Sequence, residues 1–141
     1  LDEAQGMSPR RVALGFESSR LALLLAVLHR HGGISSSGQD VFVNVVGGVR
    51  IGETAADLPA VLAVFSSLRN RPVATDMVCF GELGLTGEIR PVPFGEERLR
   101  EAVKQGFRRA LVPKGNAPRT AFEGLAVEGV SRLDQALAAA F

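Results

Sequence analysis

The stretch G81-E-L-G-L-T-G-E-I-R-P-V-P93 decides how this chain is read. Glycines at Gly81, Gly84 and Gly87 punctuate it, with short apolar pieces between them. Glycine supplies the positive φ angles that tight turns need. The spacing therefore predicts a tight hairpin leading into a second short strand. It is not a dinucleotide-binding fingerprint, because no strand–helix crossover follows directly. Before the hairpin, M77-V-C-F80 reads as a short strand. After it, G95-E-E-R-L-R-E-A-V-K-Q-G106 reads as an amphipathic helix with Gly106 beyond its end.

Working towards the N-terminus, V41-F-V-N-V-V46 is β-branched and aromatic, hence a strand. Gly47-Gly48 makes a turn or bulge, after which V49-R-I51 pairs back or continues. Thr54 and Asp57 form a T-x-x-D pattern and read as capping groups. The helix they open runs through Leu68, carries Pro59 in its first turn and is ended by R71-P72. R11-V-A-L-G-F16 alternates as a strand. S18-S-R-L-A-L-L-L-A-V-L-H-R-H31 reads as a mostly buried helix, because its apolar positions nearly surround it. Ser18 or Ser19 is its expected cap and Gly32-Gly33 its stop. S35-S-S-G-Q-D40 reads as a solvated loop. Beyond the hairpin, Arg109–Val112 forms a strand closed by Pro113. Leu125–Val130 forms another, and Ser131 caps a last helix to Phe141. This alternation predicts one α/β (α+β) domain with mixed strand directions over residues 10–141, preceded by a polar linker or chain edge over 1–9.

Composition narrows the function. A chain of 141 residues suits one domain with a real core. Its longest apolar run, Leu21–Leu28, is short for a membrane span, so no membrane partner and a cytoplasmic setting are expected. One cysteine, Cys79, excludes an internal disulfide and a zinc cluster, and reads as a buried thiol. The net charge is +1, but 14 of the 16 basic residues are arginines, which favour bidentate contacts to phosphate or carboxylate. The absence of Trp and Tyr argues against the common single-strand stacking platform. No P-loop motif is present, so no ATP site is expected in this chain. His29 and His31 lie about 200° apart around their helix and cannot share a metal. With Arg30 they read as cationic groups near the last carbonyls, though Arg30 could equally contact a phosphate. Glu96 and Glu97 complement the dipole at the start of their helix.

The segments G84-L-T-G-E-I-R-P-V-P93, F94-G-E-E-R-L-R-E-A-V-K-Q-G-F107 and R109-A-L-V-P-K-G-N116 resemble the matching part of Lon-type proteases. With L21-A-L-L-L-A-V-L-H-R-H-G-G33, Q39-D-V-F-V-N-V-V-G-G48 and A56-D-L58 in front, residues 10–141 resemble the C-terminal Lon-like domain of the bacterial DNA-repair ATPases of the RadA (Sms) family. The implied fold is the Lon protease-like type of the ribosomal protein S5 domain 2-like class. Lon proteases use a serine–lysine dyad, and a hydroxyl nucleophile needs a neighbouring base. Here Ala55 takes the serine position and Glu96 the lysine position. A one-residue slip offers Thr54 or Glu97, and Lys104 and Lys114 lie elsewhere. No peptidase activity is expected.

The resemblance further implies a longer protein with a zinc finger and an ATP- and magnesium-using ATPase upstream of this chain, acting with the recombination machinery on single-stranded or branched DNA. It implies that the Lon-like domain binds DNA and helps build a homo-hexameric ring. Candidate phosphate contacts are Arg10 and Arg11 at the first strand, Arg20 and Arg30 on the first helix, Arg50 beside the glycine turn, and Arg108 and Arg109 at a strand entrance. Arg98, Arg100 and Lys104 are better explained by i,i+4 pairing with Glu97 and Glu101. Arg69 and Arg71 fit a helix end. The alternative is a purely structural ring-assembly module, with its contacts on the last helix and on the loop after Gly32.

Overall fold

A leucine-rich helix between two short parallel strands sets the frame. The computed structural model describes residues 1–3, 8–47 and 50–141. Strand β2 (Arg11–Leu14) leads into helix α1 (Ser18–Gly32), which returns the chain to β3 (Gln39–Asn44). β2 and β3 pair in parallel from Arg11↔Val41 to Leu14↔Asn44. A two-residue strand, β1 (Asp2–Glu3), pairs antiparallel with the start of β3, so two residues of the N-terminal segment join the sheet. Beyond β3, Val45 and Ile51 donate to the carbonyls of Leu14 and Gly15 at 2.9 and 2.7 Å, so the chain keeps to the end of β2. Gly48, in the expected Gly47-Gly48 turn or bulge, and Val49, at the start of the expected V49-R-I51 segment, lie outside the described residues.

α1 is one-sided. Leu21, Leu24, Leu25, Val27 and Leu28 are buried, while Ala22, Leu23 and Ala26 face solvent. Counting apolar residues overstated its burial, because alanine is at home on either face of a helix. Its cap also differs from expectation. Glu17 holds the N-cap position, and Ser18 and Ser19 lie inside the first turn. The helix stops where expected, at Gly33 in the left-handed conformation (φ 71°).

A second layer follows. A single 3₁₀ turn (Thr54–Ala56) opens α2 (Asp57–Arg69), and Asn70 at φ 51° ends it. Strands β4 (Met77–Cys79), β7 (Arg109–Pro113) and β8 (Ala126–Val130) form a parallel sheet in the order β4-β7-β8. Between them, β5 (Glu82–Leu83) and β6 (Ile89–Arg90) make the antiparallel hairpin, and α3 (Gly95–Lys104) follows. α4 (Leu133–Ala140) closes the chain. The architecture is therefore the expected mixed α/β fold. One core joins α1, α2 and α4 through Leu28, Leu58, Leu62 and Leu133, each at most 2% exposed. A smaller core sits under α3, around Phe80, Leu99 and Val112.

Local polar chemistry departs from expectation at three places. Ser131 is not the cap of α4. Arg132 holds that position, and the Ser131 N–H and hydroxyl donate to the Gln135 side-chain oxygen at 3.0 and 3.1 Å. Ser36 is buried rather than solvated, because Arg11 reaches its carbonyl and hydroxyl at 3.2 and 3.3 Å. Cys79 is half-buried, and burial pushes its thiol up to about 12.

The hairpin is a joint between helices. The Thr86 hydroxyl donates to the Glu88 carboxylate at 2.8 Å, a bond that holds this carboxyl below its usual range. Leu133 donates to the Gly87 carbonyl and Ile89 to the Ser131 carbonyl, both at 2.9 Å, tying the hairpin to α4. On the other side Gly87 meets α1. A Cβ there would lie 2.8 Å from both Cβ and Cγ of His31, and φ is +82°. His31 is thus a packing group. Gly87→Ala combines a left-handed backbone penalty with a clash and should cost about 3 kcal/mol in urea unfolding, against about 1 kcal/mol for Gly38→Ala. Gly38 has a similar φ of +77° with nothing within 4 Å, so equal losses at both sites would refute the joint.

Candidate functional site

The elbow between β3 and α2 carries Ala55, the residue expected at the position of a Lon-type serine. Ala55 is 4% exposed, and its carbonyl accepts from the Gly81 N–H at 2.9 Å. Leu58 donates to the Gly81 carbonyl at 3.0 Å, so the elbow is stitched to the strand end after β4 on both sides. Thr54 is exposed, and no side-chain capping bond forms at the start of the 3₁₀ turn or of α2.

Asp57 has a different use from the capping role expected of it. Its side chain is 1% exposed and takes three donors. Arg20 reaches Oδ1 through Nε at 3.0 Å and Oδ2 through Nη2. The Leu83 N–H donates to Oδ2 at 3.0 Å, and Arg20 Nη2 also donates to the Leu83 carbonyl at 3.4 Å. The hydrogen bond to Asp57 raises the Arg20 pKa above its ordinary value. A buried carboxylate is tolerable only when paired and fully hydrogen-bonded, which this geometry achieves. The carboxylate therefore joins α1, α2 and the hairpin. Sequence reasoning missed it because the partners stand 37 and 26 residues away from it.

Glu96, the residue expected at the position of a Lon-type lysine, lies in the first turn of α3. Its carboxylate faces solvent and pairs with Arg100 one turn on. Arg98 departs from the expected i,i+4 pattern. Nη1 and Nη2 reach both oxygens of Glu53 at 3.1 Å, Nε donates to the Pro93 carbonyl at 3.0 Å, and the guanidinium lies 5.7 Å from the Phe80 ring centre. Geometry favours this forked pair over a neighbour on the same helix, since a planar guanidinium matches a carboxylate. The bond from Arg98 holds the Glu53 carboxyl below its usual range. The elbow and the start of α3 are thus clamped together. Next to that clamp lies an open hollow of about 490 Å³, bordered by Gly52, Glu53, Ala55, Phe80 and Arg98.

The candidate arginines divide by topology. Because β2 and β3 run parallel with α1 returning between them, Arg10, Arg11 and Arg30 fall at one end of this unit. Arg20 and Arg50 fall at the other. Arg10 is two-thirds exposed, pairs with Asp40 at 3.3 Å and lies 5.5 Å over the Phe42 ring. Its backbone N–H, donating to Asp40 at 2.6 Å, is the main reason that carboxyl sits below its usual range. Arg11 is turned onto the carbonyls of Gln39 and Ser36. Arg30 is exposed on the outward side of α1, and Arg50 is exposed beside the elbow. Arg108 and Arg109 are exposed where β7 begins, and their backbone N–H groups share the Asp76 carbonyl at 3.0 and 3.1 Å. Among the described residues no cluster of three or more His, Cys, Asp or Glu groups could hold a metal ion. No helix among them is long and apolar enough to cross a membrane.

The chain belongs to the family described as subunit ChlI of Mg-chelatase, whose model matches residues 18–116. It is similar over its full length to the DNA repair protein RadA of Pseudomonas aeruginosa, with 61% identity over 141 residues. The DNA repair protein RadA of Escherichia coli is 60% identical over 97% of the chain, and that of Aquifex aeolicus 46% over 95%. The chain spans about 30% of the length of these curated relatives, covering 31% of the first and 30% of the other two. The resemblance to RadA read from the hairpin and the helix after it holds along the whole chain.

The two ion pairs at the elbow should differ sharply in unfolding experiments. Asp57→Asn leaves the Arg20 charge without its buried partner and should cost about 3–5 kcal/mol. Glu53→Gln removes a pair whose carboxylate side chain is 59% exposed and should cost about 1 kcal/mol or less. Equal costs would contradict the structural role given to Asp57.

Proposed function

We propose that this chain is a non-proteolytic Lon-like module of a DNA-repair or recombination protein. In that protein it adds sequence-independent contacts to DNA and helps hold copies together in a ring. The observation that carries this reading is the identity of about 60% along the whole chain with proteins named for DNA repair. The loss of peptidase chemistry is supported by the elbow, where a buried methyl at Ala55 stands in the nucleophile position and Glu96 faces solvent. In this reading ATP, magnesium and zinc are handled by parts of a longer protein other than these 141 residues.

Electrostatics favours some arginines over others as phosphate contacts. Arg20 is held by Asp57, and Arg11 by two carbonyls and a hydroxyl, so both are first of all structural. Arg30, Arg108 and Arg109 are exposed, and their guanidinium groups enter no ion pair among the described residues. Arg10 is exposed but shares its charge with Asp40.

Ring contacts have their best support on the outer face of β2 and β3. Val12, Leu14 and Phe42 are 38%, 62% and 48% exposed there. α4, the expected place, turns Leu133, Ala136 and Leu137 into the core instead.

Fluorescence anisotropy with a labelled oligonucleotide across a salt series tests the DNA contact. Arg30→Ala with Arg108→Ala should weaken binding to all sequences alike. Each true phosphate contact removed should flatten the log–log salt slope by about 0.7–0.9. Unchanged affinity and slope, with the circular dichroism spectrum intact, would reject the DNA-contact reading. Self-association of the same chain in sedimentation, without DNA binding, would leave the ring role alone standing.

A further inference from the structure

The parallel sheet β4-β7-β8 is left bare at one end. Such a sheet is normally covered on both faces. α3 lies against one face through Leu99 and Ala102, and α4 against the other through Leu133, Ala136 and Leu137. α4 has only eight residues, a length of about 12 Å. On its own face it stops short of the entrance of β7 and β8, where Arg109, Ala126 and Glu128 are exposed. The ladder register and the two-residue period of a strand order that face. Met77, Arg109 and Ala126 form one row across it, and Cys79, Leu111 and Glu128 form the next.

A pit of about 120 Å³ opens between these rows and Ala139 of α4. Its floor is apolar. Leu111 is 2% exposed, and Met77 and Ala139 are half-buried. An apolar cavity of about 150 Å³ holds a benzene ring, so this pit has room for an aliphatic group of about three or four carbons.

The rim carries one charge of each sign. Arg109 rises from the central strand and Glu128 from the outer one. Strand spacing puts their Cα atoms roughly 8 Å apart, within reach of each other's side chains. They nevertheless form no ion pair, with each other or with any other described residue. No other charged residue among those described borders the pit, Asp76 and Arg108 included. Opposite charges standing apart around an apolar hollow are complementary to a zwitterion. The balance of the two signs disfavours a polyanion there.

We propose that this pit binds a free α-amino acid with a short branched aliphatic side chain, its carboxylate on Arg109, its ammonium on Glu128 and its side chain against Met77, Leu111 and Ala139. A guanidinium grips a carboxylate through two parallel hydrogen bonds, which sets the orientation of the ligand. The site needs neither Arg30 nor Arg108, so it stands or falls independently of the DNA contact.

Isothermal titration calorimetry of this chain with L-valine and with L-leucine tests the proposal. At least one of them should bind saturably, with a Kd on the order of 1 mM. N-acetyl-L-valine and N-acetyl-L-leucine lack the ammonium, and the two amino-acid amides lack the carboxylate. Each derivative should bind about tenfold more weakly than its parent. Glu128→Gln should weaken amino-acid binding about fivefold or more and leave oligonucleotide binding no weaker. Ala126→Ile fills the pit and should abolish amino-acid binding, with the urea midpoint unchanged or raised, because isoleucine suits a strand better than alanine. Loss of binding without loss of stability separates a ligand site from a structural one. Absence of saturable binding by both amino acids, undiminished binding of the acetylated or amidated forms, or full binding by Ala126→Ile would each overturn the proposal.

Discussion

The buried pair between Arg20 and Asp57 is the constraint on which the rest of this structure hangs. It joins the first turn of α1 to the first turn of α2 and, through the Leu83 N–H and carbonyl, to the hairpin. An ion pair this deep contributes little net stability over an apolar replacement, but breaking it is expensive. Its effect is positional. It sets where the elbow lies, and the elbow then fixes the end of β4 through Gly81 and the start of α3 through Glu53 and Arg98. Leu58, the residue after Asp57, and Val61, one turn on, are almost fully buried and pack into the core from the same anchor.

An elbow built in this way no longer needs a nucleophile to justify its shape. The Ala55 methyl is buried and its carbonyl is bonded to Gly81, so the turn is held by packing and main-chain bonds. What surrounds it is still a groove with a polar clamp and an open strand edge. Arg30, Arg108 and Arg109, the exposed cations proposed for DNA, lie at the end of the β2–α1–β3 unit and at the entrance of β7, while the candidate Arg50 borders the groove itself.

Much of the fold was legible in the sequence. Alternation pointed to β2, β-branched and aromatic residues to β3, glycine spacing to the hairpin and the leucine run to α1, because each of these signals is local. Caps were less legible. Ser18, Ser131 and Asp57 are all good capping residues, yet Glu17 and Arg132 hold the N-cap positions and Asp57 is taken by Arg20. Capping strength is about 1 kcal/mol, so a tertiary contact of greater worth readily overrides it. For the candidate site, the resemblance pointed to Ala55 and Glu96, which the structure sets in the elbow and in the first turn of α3. Its working parts were not legible. Arg98 reaches Glu53 across 45 residues, and Phe94, an aromatic at positive φ, leaves no trace in residue type or spacing. Among the arginines, sequence could not separate Arg30, which faces solvent, from Arg20, which is committed to a carboxylate 37 residues away.

The central claim is that Arg20 and Asp57 act as one unit in placing the elbow. A double-mutant cycle in urea unfolding, with Arg20→Met, Asp57→Leu and the pair together, measures it directly. The account predicts strong non-additivity, with the double variant less destabilised than Asp57→Leu alone and a coupling energy of about 2–3 kcal/mol. Additive losses, with coupling within about 0.5 kcal/mol of zero, would contradict it.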